Sequence, residues 1–280
     1  MKANIYSLDG SKQGSLELPE QFNENVRIDL IKRAFLSIRA NKRQSYGTMP
    51  HAGERVSAKL SRRRRKYKTS YGKAISRAPR KTVWKRGRQF GWVGAFAPGT
   101  YKGRRAHPPK STKIYKEKIN IKENRKAIRS ALSAVVDLGF VKQNGYIFKE
   151  LPLVLDNDFY NLNKTKEIIG FLIKLGLKNE IDRLEKKTFR AGKGGSRGRK
   201  YRYKKGPLFV LGKKSILLKI LNSIQGFDSV LVDNLNVELL APGGIPGRFT
   251  LFTKDAIDIL KEKKLFSENH FKKSDHGKTE

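Results

Sequence analysis

Apolar positions along the chain fall into short apolar runs and longer stretches with a helical period. The runs typical of buried strands are Leu151 to Leu155, Leu208 to Leu211, Val230 to Val232 and Phe249 to Phe252. The helical patterns lie near residues 164–175, 178–187, 213–224 and 254–264. Because strands and helices alternate, the pattern favours an α/β fold, a layered globular domain with a largely parallel sheet.

The N-terminal region adds a hairpin and two helices to this pattern. Residues 1–20 predict a hairpin around the turn Asp9-Gly10-Ser11. A helix is predicted to follow with Asn25 as its N-cap. A second helix is predicted over about 122–138, with Gly139 as its C-terminal stop.

The periodic pattern is absent from residues 41–113, which we call the extension. These 73 residues contain only five Ile, Leu or Val side chains. So few apolar side chains cannot offset the entropy lost on ordering, so we expect the isolated extension to be disordered in water. The chain is therefore predicted to form one discontinuous globular domain, 1–40 with 114–265, carrying a long basic non-globular extension. A polar tail, 266–280, follows.

Charge is concentrated in two segments. The chain has 62 Lys and Arg residues against 25 acids, a net charge of +37. The extension holds 22 of these cations and one acid, Glu54, and a second basic segment, 183–205, holds 11 cations and one acid, Glu185. The remaining residues carry a net charge of only +6. Such concentrated charge indicates a polyanionic partner, most often nucleic acid. A membrane is not expected as the partner, because no anchoring amphipathic helix or apolar span is present.

The extension interleaves its cations with aromatic side chains, including both tryptophans of the chain. Rings and guanidinium planes stack on unpaired RNA bases, and clustered Arg and Lys bind phosphates. The candidate RNA-binding residues here are Arg62, Arg63, Arg64, Arg65, Lys66, Arg77, Arg80, Lys81, Trp84, Lys85, Arg86, Arg88, Trp92, Arg104, Arg105, His107 and Lys110. A solvated basic tail or a localisation signal would also explain the basic run, but not the aromatics or the internal position. The aromatics could instead fold back onto the domain as core.

The second basic segment resembles a nucleotide-binding loop only superficially. Gly192-Lys193 is followed by Gly194 where a Walker loop needs Ser or Thr, and Arg197 stands where the dinucleotide motif needs its third glycine. Arg and Gly beside tyrosines instead suit an RNA backbone, and a solvated flexible loop is the alternative. The candidate RNA-binding residues in this segment are Arg197, Arg199, Lys200, Tyr201 and Arg202.

Catalysis has little support in the sequence. The chain has no cysteine, and its histidines (His51, His107, His270 and His276) form no metal-like pair on a predicted helix. Asp156, Asp158 and Asp233 are better explained as caps and turns than as an acid–base pair, and no nucleophile motif is present. We therefore predict that the protein is not an enzyme and needs no metal or cofactor.

Several longer motifs carry a family resemblance. They are Gly91-Trp92-Val93-Gly94-Ala95-Phe96-Ala97-Pro98-Gly99, Gly103-Arg104-Arg105-Ala106-His107-Pro108-Pro109-Lys110, Gly198-Arg199-Lys200-Tyr201, Leu239-Leu240-Ala241-Pro242-Gly243-Gly244 and Pro246-Gly247-Arg248. In this order they resemble the archaeal form of the universal large-subunit ribosomal protein four family, and the resemblance reaches from the N-terminal hairpin to about Leu265.

The resemblance implies a place in the cytoplasmic ribosome. The domain would lie on the outer surface of the large subunit, and the extension would penetrate the large-subunit rRNA. Its tip, between Arg62 and Gln89, would help line the polypeptide exit tunnel. The implied partners are large-subunit rRNA, neighbouring ribosomal proteins and the nascent polypeptide near the tip, with no membrane contact and no homo-oligomer. A non-ribosomal RNA chaperone, or another basic nucleic-acid-binding protein such as a chromatin-like DNA binder, is the alternative.

Overall fold

The computed structural model describes residues 1–66, 69–146 and 150–267. The chain forms two compact units, each described here by itself. The globular unit comprises Met1–Asn41 and Glu117–Glu280, and the second unit, which we call the arm, comprises Lys42–Lys116. The predicted tail, 266–280, lies outside the described residues from 268 onward.

The elements alternate along the chain much as the apolar pattern predicts. The helices are α1 Ile28–Asn41, α2 Ile121–Val136, α3 Leu138–Gln143, α4 Thr165–Lys174, α5 Lys178–Glu185, α6 Leu217–Ser223, α7 Val237–Leu240 and α8 Lys254–Glu262. The strands are β1 Lys2–Tyr6, β2 Lys12–Glu17, β3 Arg80–Arg86, β4 Gln89–Gly94, β5 Leu153–Leu155, β6 Thr188–Phe189, β7 Tyr201–Arg202, β8 Leu208–Leu211, β9 Asp228–Leu231 and β10 Thr250–Thr253.

Six of the described strands form the main sheet, in the order β2-β1-β5-β10-β8-β9. Only the β1–β2 hairpin is antiparallel, and the other pairs are parallel. The central strands β8 and β10 are buried along their whole length, as expected for strands covered on both faces. The α/β fold class with a largely parallel sheet is therefore confirmed.

The core lies in two layers, one on each face of the sheet. Successive residues of a strand point to opposite faces. Leu208 and Val210 therefore pack with one cluster, which α1, α2, α7 and α8 cover, whereas Phe209 and Leu211 pack with the other, which α3, α4, α5 and α6 cover. A three-layer arrangement of this kind buries both faces of a parallel sheet.

Two predicted helix boundaries were wrong. Helix α1 begins at Ile28, and the backbone carbonyl of Asn25 instead accepts a hydrogen bond from Ser130 Oγ at 2.8 Å. Gly139 does not end α2. It lies in the first turn of α3, where its N–H donates to Asp137 Oδ1 at 2.8 Å. The chain turns at Asp137, whose side chain caps the next helix, and a cap of this type resembles a helix stop in sequence.

Arg248 is buried in the globular unit, although it belongs to a basic protein. Its side chain is 1% exposed and donates to the carbonyl oxygens of Gly206 at 2.8 Å and Leu239 at 2.9 Å. It also pairs with Asp228 Oδ2 at 2.7 Å. Burial alone raises the pKa of Asp228, but Arg248 and Lys205 outweigh it and hold that pKa below its ordinary value. The Pro246-Gly247-Arg248 motif is therefore part of the core.

The arm has its own secondary structure but almost no core. Strands β3 and β4 form an antiparallel hairpin, with Arg80 opposite Gly94 and Arg86 opposite Gln89. Among the described residues of the arm, only Ala95, Thr69 and Ser70 are buried. The hairpin was not predicted from the sequence, because its aromatic and basic residues lack a buried alternation.

The two ends of the globular unit that flank the arm are hydrogen-bonded to each other. Asn41 Oδ1 accepts from the backbone N–H of Glu117 at 3.1 Å. Ser37 Oγ donates to the Glu117 carbonyl at 2.8 Å. These bonds hold the end of α1 beside the point where the chain returns to the globular unit.

Candidate nucleic-acid interface

The β3–β4 hairpin presents a dense group of cations. Its two-residue loop is Gly87-Arg88, and Gly87 has φ +55°, so glycine occupies the first turn position as in a type II′ turn. Lys85, Arg86 and Arg88 are exposed at this end. Arg80 and Lys81 lie at the other end of β3 and are half-buried. The hairpin thus fixes the spacing of several predicted RNA-binding residues.

Aromatic rings lie on the same hairpin. Trp84 is 53% exposed and packs directly over Gly91, where a Cβ would collide with the indole. Phe90 stacks on Trp92 with ring centroids 6.2 Å apart, and Lys85 Nζ lies 5.6 Å from the Phe90 centroid. Trp92 Nε1 is buried and has no hydrogen-bond partner among the described residues. The hairpin therefore carries exposed aromatic rings and cations together, the combination that stacks on bases and binds phosphates.

The basic run from Arg62 to Lys66 is exposed along its whole length. Two predicted residues, Arg64 and Arg77, approach the same ring, Tyr71, at 6.0 Å and 5.6 Å from its centroid. Tyr71 is 39% exposed and was not among the predicted site residues. The signal that could have found it is the aromatic placed between two clusters of arginine. Because these cations meet on one ring, they form a single patch in the arm.

The base of the arm is an open cleft, which we call the base cleft. It is lined by Tyr46, Arg105, His107, Pro108, Pro109, Lys110, Thr112, Lys113 and Tyr115. Three predicted residues, Arg105, His107 and Lys110, thus come together there. The tyrosines and Lys113 were missed as site residues, and Tyr115 lies two residues beyond the predicted end of the extension.

Arg104 and Arg80 contact polar groups within the arm itself. Arg104 lies 3.8 Å from Glu54, and its guanidinium approaches the Phe96 ring at 5.9 Å. Arg80 Nη2 donates to the carbonyl and the hydroxyl of Ser76. Glu54 also contacts His51 Nδ1 at 2.8 Å. Arg104 and Arg80 therefore help to shape the arm, and less of their charge is directed outward.

The second basic segment, 183–205, is anchored at its ends and exposed in its middle. Arg183 pairs with Glu180 at 2.5 Å, and Lys205 pairs with Asp228 at 2.8 Å. Between them the short β6–β7 ladder pairs Phe189 with Tyr201. The five predicted residues of this segment are all exposed, as Arg197, Arg199, Lys200, Tyr201 and Arg202. The globular unit thus carries its own small basic surface.

Aromatic rings and lysines also combine on this ladder. The Phe189 and Tyr201 rings lie 5.3 Å apart, and Lys200 Nζ lies 5.7 Å and 5.6 Å from their centroids. Phe189 is 73% exposed and was not predicted as a site residue. Its partner across the ladder, Tyr201, was predicted, so strand pairing was the missing information.

No group of three or more His, Cys, Asp or Glu is placed to hold a metal ion in the part of the chain that the structure describes. No helix within residues 1–66, 69–146 and 150–267 is long and apolar enough to cross a bilayer. His270 and His276 lie outside the described residues.

The fold and this surface define a class of protein: an α/β domain with a cationic, aromatic-rich arm. The model of the ribosomal protein L4/L1 family matches residues 16–263. The large ribosomal subunit protein uL4 of Nanoarchaeum equitans is 49% identical over 95% of this chain and 100% of its own length. The protein of the same name from Archaeoglobus fulgidus is 40% identical over 94% and 99%, respectively. The chain belongs to the ribosomal protein L4/L1 family.

Membership of this family decides three predictions. The family is structural and not enzymatic, so the prediction that the protein is not an enzyme is confirmed. The predicted location in the cytoplasmic ribosome is confirmed as well. The resemblance to the archaeal form is also confirmed, since both relatives come from archaea.

Proposed function

We propose that this protein is a structural constituent of the large ribosomal subunit that binds large-subunit rRNA and supports assembly of the subunit. The comparisons support this proposal, because the relatives that cover nearly the whole chain are named as large-subunit proteins. Neighbouring large-subunit proteins are its further partners. In this proposal the arm inserts into rRNA, and the globular unit carries the two ends of the chain from which the arm begins and to which it returns.

The observation that carries the proposal is a cation-rich arm that lacks a core of its own. Its described residues bury one apolar side chain, Ala95, although the extension holds 22 cations. A compact shape with this charge requires neutralising anions, which rRNA phosphates supply. Contact with RNA would also repay the entropy of ordering the segment.

Backbone strain in the arm supports the same proposal. Five of the seven described non-glycine residues with positive φ lie there, namely His51, Arg65, Ala74, Phe96 and Lys102. Each such conformation costs about 1–2 kcal/mol for an L-residue. A segment without a core has little internal packing to offset this strain. Binding to a rigid polyanion supplies the missing stabilisation.

In this proposal the residues predicted from the sequence contact rRNA, and they form four groups in the structure. The β3–β4 hairpin and the exposed run beside Tyr71 contribute phosphate contacts and stacking rings. The base cleft adds Arg105, His107 and Lys110, and the second basic segment adds Arg197, Arg199, Lys200, Tyr201 and Arg202. Phosphate and shape recognition dominate over reading of base edges, because most of these groups are Lys or Arg, whose commonest contacts with nucleic acid are to phosphate oxygens.

The finer part of the proposal concerns the tip of the arm, 62–89. It lines the polypeptide exit tunnel and contacts the nascent polypeptide, and the protein acts as a single copy and not as a homo-oligomer. Support comes from the exposed Arg62–Lys66 run, whose charge has no acidic partner among the described residues. Groups of this kind suit the phosphate-lined wall of a channel through RNA.

Co-sedimentation tests the proposed function. A tagged copy of the full chain should migrate with the large subunit through gradients of moderate salt. An RNA chaperone, or a general nucleic-acid binder, would leave the subunit under those conditions. Recovery of the chain only in the light fractions would contradict the proposal.

A further inference from the structure

The base cleft has a more specific shape than the rest of the cationic surface. Two chain segments of the arm run side by side there, because the N–H of Thr48 donates to the Pro109 carbonyl at 3.1 Å. Gly47 permits this approach, since a Cβ on it would lie 2.5 Å from Ser111 N. The backbone therefore fixes Tyr46 beside the Pro108-Pro109 pair, both of which line the cleft.

The cleft is lined both by flat apolar surfaces and by cations. The Tyr46 ring is 56% exposed and lies parallel to Tyr115 within 7°, with centroids 6.4 Å apart. Arg43 covers Tyr115 with its guanidinium 4.0 Å from the ring centroid, which supports the tyrosine pair. Arg105, Lys110 and Lys113 also line the cleft, and none of the described residues that line it is a carboxylate. The cleft thus combines ring faces and proline with positive charge.

We propose that the base cleft binds a single unpaired nucleotide of RNA. The base packs against Tyr46 and the two prolines, and its flanking phosphates contact Arg105 and Lys110. This inference rests on the proposed rRNA binding and adds one kind of site to it. A paired base cannot reach a ring inside a cleft, because both of its faces are stacked within the helix. An unpaired base offers a free face, and stacking on a tyrosine tolerates any base.

The test compares two RNA duplexes that differ only in one extra unpaired nucleotide, 2-aminopurine. The full-length chain is expected to bind the bulged duplex on the order of tenfold more tightly than the fully paired one. Stacking on Tyr46 should also quench the 2-aminopurine fluorescence. Tyr46→Leu is expected to bring the two affinities together, mainly by weakening the bulged complex, whereas Tyr46→Phe keeps the ring and the preference.

Tyr101→Leu is the matched control, because Tyr101 is 77% exposed in the same arm and does not line the cleft. This variant should keep the wild-type preference, and circular dichroism should show that each variant is folded. Equal binding of the two duplexes by the wild-type chain would overturn the inference while leaving rRNA binding intact. An equal loss in Tyr101→Leu and Tyr46→Leu would overturn it too, since stacking would then be diffuse. Failure to bind either duplex or large-subunit rRNA at low salt would overturn the proposed function itself.

Discussion

Arg248 lies in the core of the globular unit, although most cations of the chain face outward. We predict that Arg248→Ala lowers the free energy of unfolding by about 3–5 kcal/mol, since it removes the buried partner of the half-buried Asp228 and the donor to several carbonyl oxygens. Urea unfolding of the full chain, followed by circular dichroism, measures the change.

Lys205→Ala is the control for this substitution. Lys205 pairs with the same Asp228 at 2.8 Å, but its side chain is 57% exposed. Exposed pairs contribute about 0–1 kcal/mol, so this change should be small. Equal losses in the two variants would show that the burial of Arg248 does not increase its contribution to the free energy of unfolding.

A second residue-scale prediction concerns acid sensitivity. Hydrogen bonds from Lys12, Asn4 and Tyr6 lower the pKa of Glu150 from 4.5 to about 2. Because the folded-state pKa is below the ordinary value, the Glu150 carboxylate stabilises the fold above about pH 4.5. That contribution is lost as the pH falls toward about 2. Glu150→Gln should therefore flatten the fall in the unfolding midpoint between these pH values.

Asp9→Asn is the control for the predicted effect of Glu150→Gln at acid pH. The Asp9 side chain is 87% exposed and lies 3.6 Å from Lys174, without the three donors that surround Glu150. Its removal should leave the slope of the midpoint with pH close to that of the wild-type chain. If Glu150→Gln and Asp9→Asn alter the slope equally, the hydrogen-bonded cluster has no special part in acid stability.

At the scale of elements, Gly53 is required where the two segments at the base of the arm pass each other. It has φ +81°, and a Cβ would lie 2.6 Å from Arg104 Cα, which is backbone and cannot rotate away. We predict that Gly53→Ala weakens rRNA binding, because the segments must separate. Filter binding to large-subunit rRNA at fixed salt measures the effect.

Gly99→Ala isolates the steric part of this effect. Gly99 has a similar φ of +86°, but a Cβ there would meet nothing within 4 Å. Both variants pay the left-handed backbone penalty of about 1–2 kcal/mol, and only Gly53→Ala adds a collision. Gly99→Ala should therefore reduce affinity less, and the opposite order would contradict the prediction.

The sequence predicted most of the globular elements because their apolar patterns were strong. The run Leu208 to Leu211 coincides with β8, and the pattern near 254–264 contains α8. Short elements were missed, such as α3 and α7, because four to six residues hold too little periodicity to detect. Helix caps also led to wrong boundaries, because Asp137 caps the N-terminus of α3 directly after the end of α2.

The sequence predicted which residues belong to the candidate interface, but not which of them lie together in the structure. Runs of Arg and Lys are visible in a sequence, so the basic segments could be identified directly. The pairing of Trp84 with Gly91, or of Phe189 with Tyr201, depends on strand register. Register follows from turn geometry and buried faces, and the arm has hardly any buried face. For the same reason Tyr115 could not be assigned to a cleft with Tyr46.

At the scale of the whole molecule, salt should control binding. Each phosphate contact releases counterions, and if about ten phosphates are contacted, the log–log slope of affinity against salt should be roughly −7 to −9. Titration of the full chain against large-subunit rRNA with increasing salt measures this slope. A nearly flat titration would refute electrostatic binding by the arm.

Deletion of the tip separates the functions of the two units. Removing 62–89 should leave the unfolding transition of the globular unit unchanged, since its core clusters contain no residue of the arm. Subunit maturation, followed on gradients, should be disturbed. Because this deletion removes β3, a shorter one over 62–79 that keeps the β3–β4 hairpin is the comparison. A loss of domain stability in both deletions would contradict the division into units.

The bonds between Asn41, Ser37 and Glu117 mean that the fold tolerates arms of very different length. The two ends of the arm are already held together by these bonds. A longer arm therefore adds only a small entropic cost of loop closure, about 0.6 kcal/mol for each doubling of its length. Evolution can therefore trim or extend the arm to suit the depth of its ribonucleoprotein without redesigning the domain that carries it.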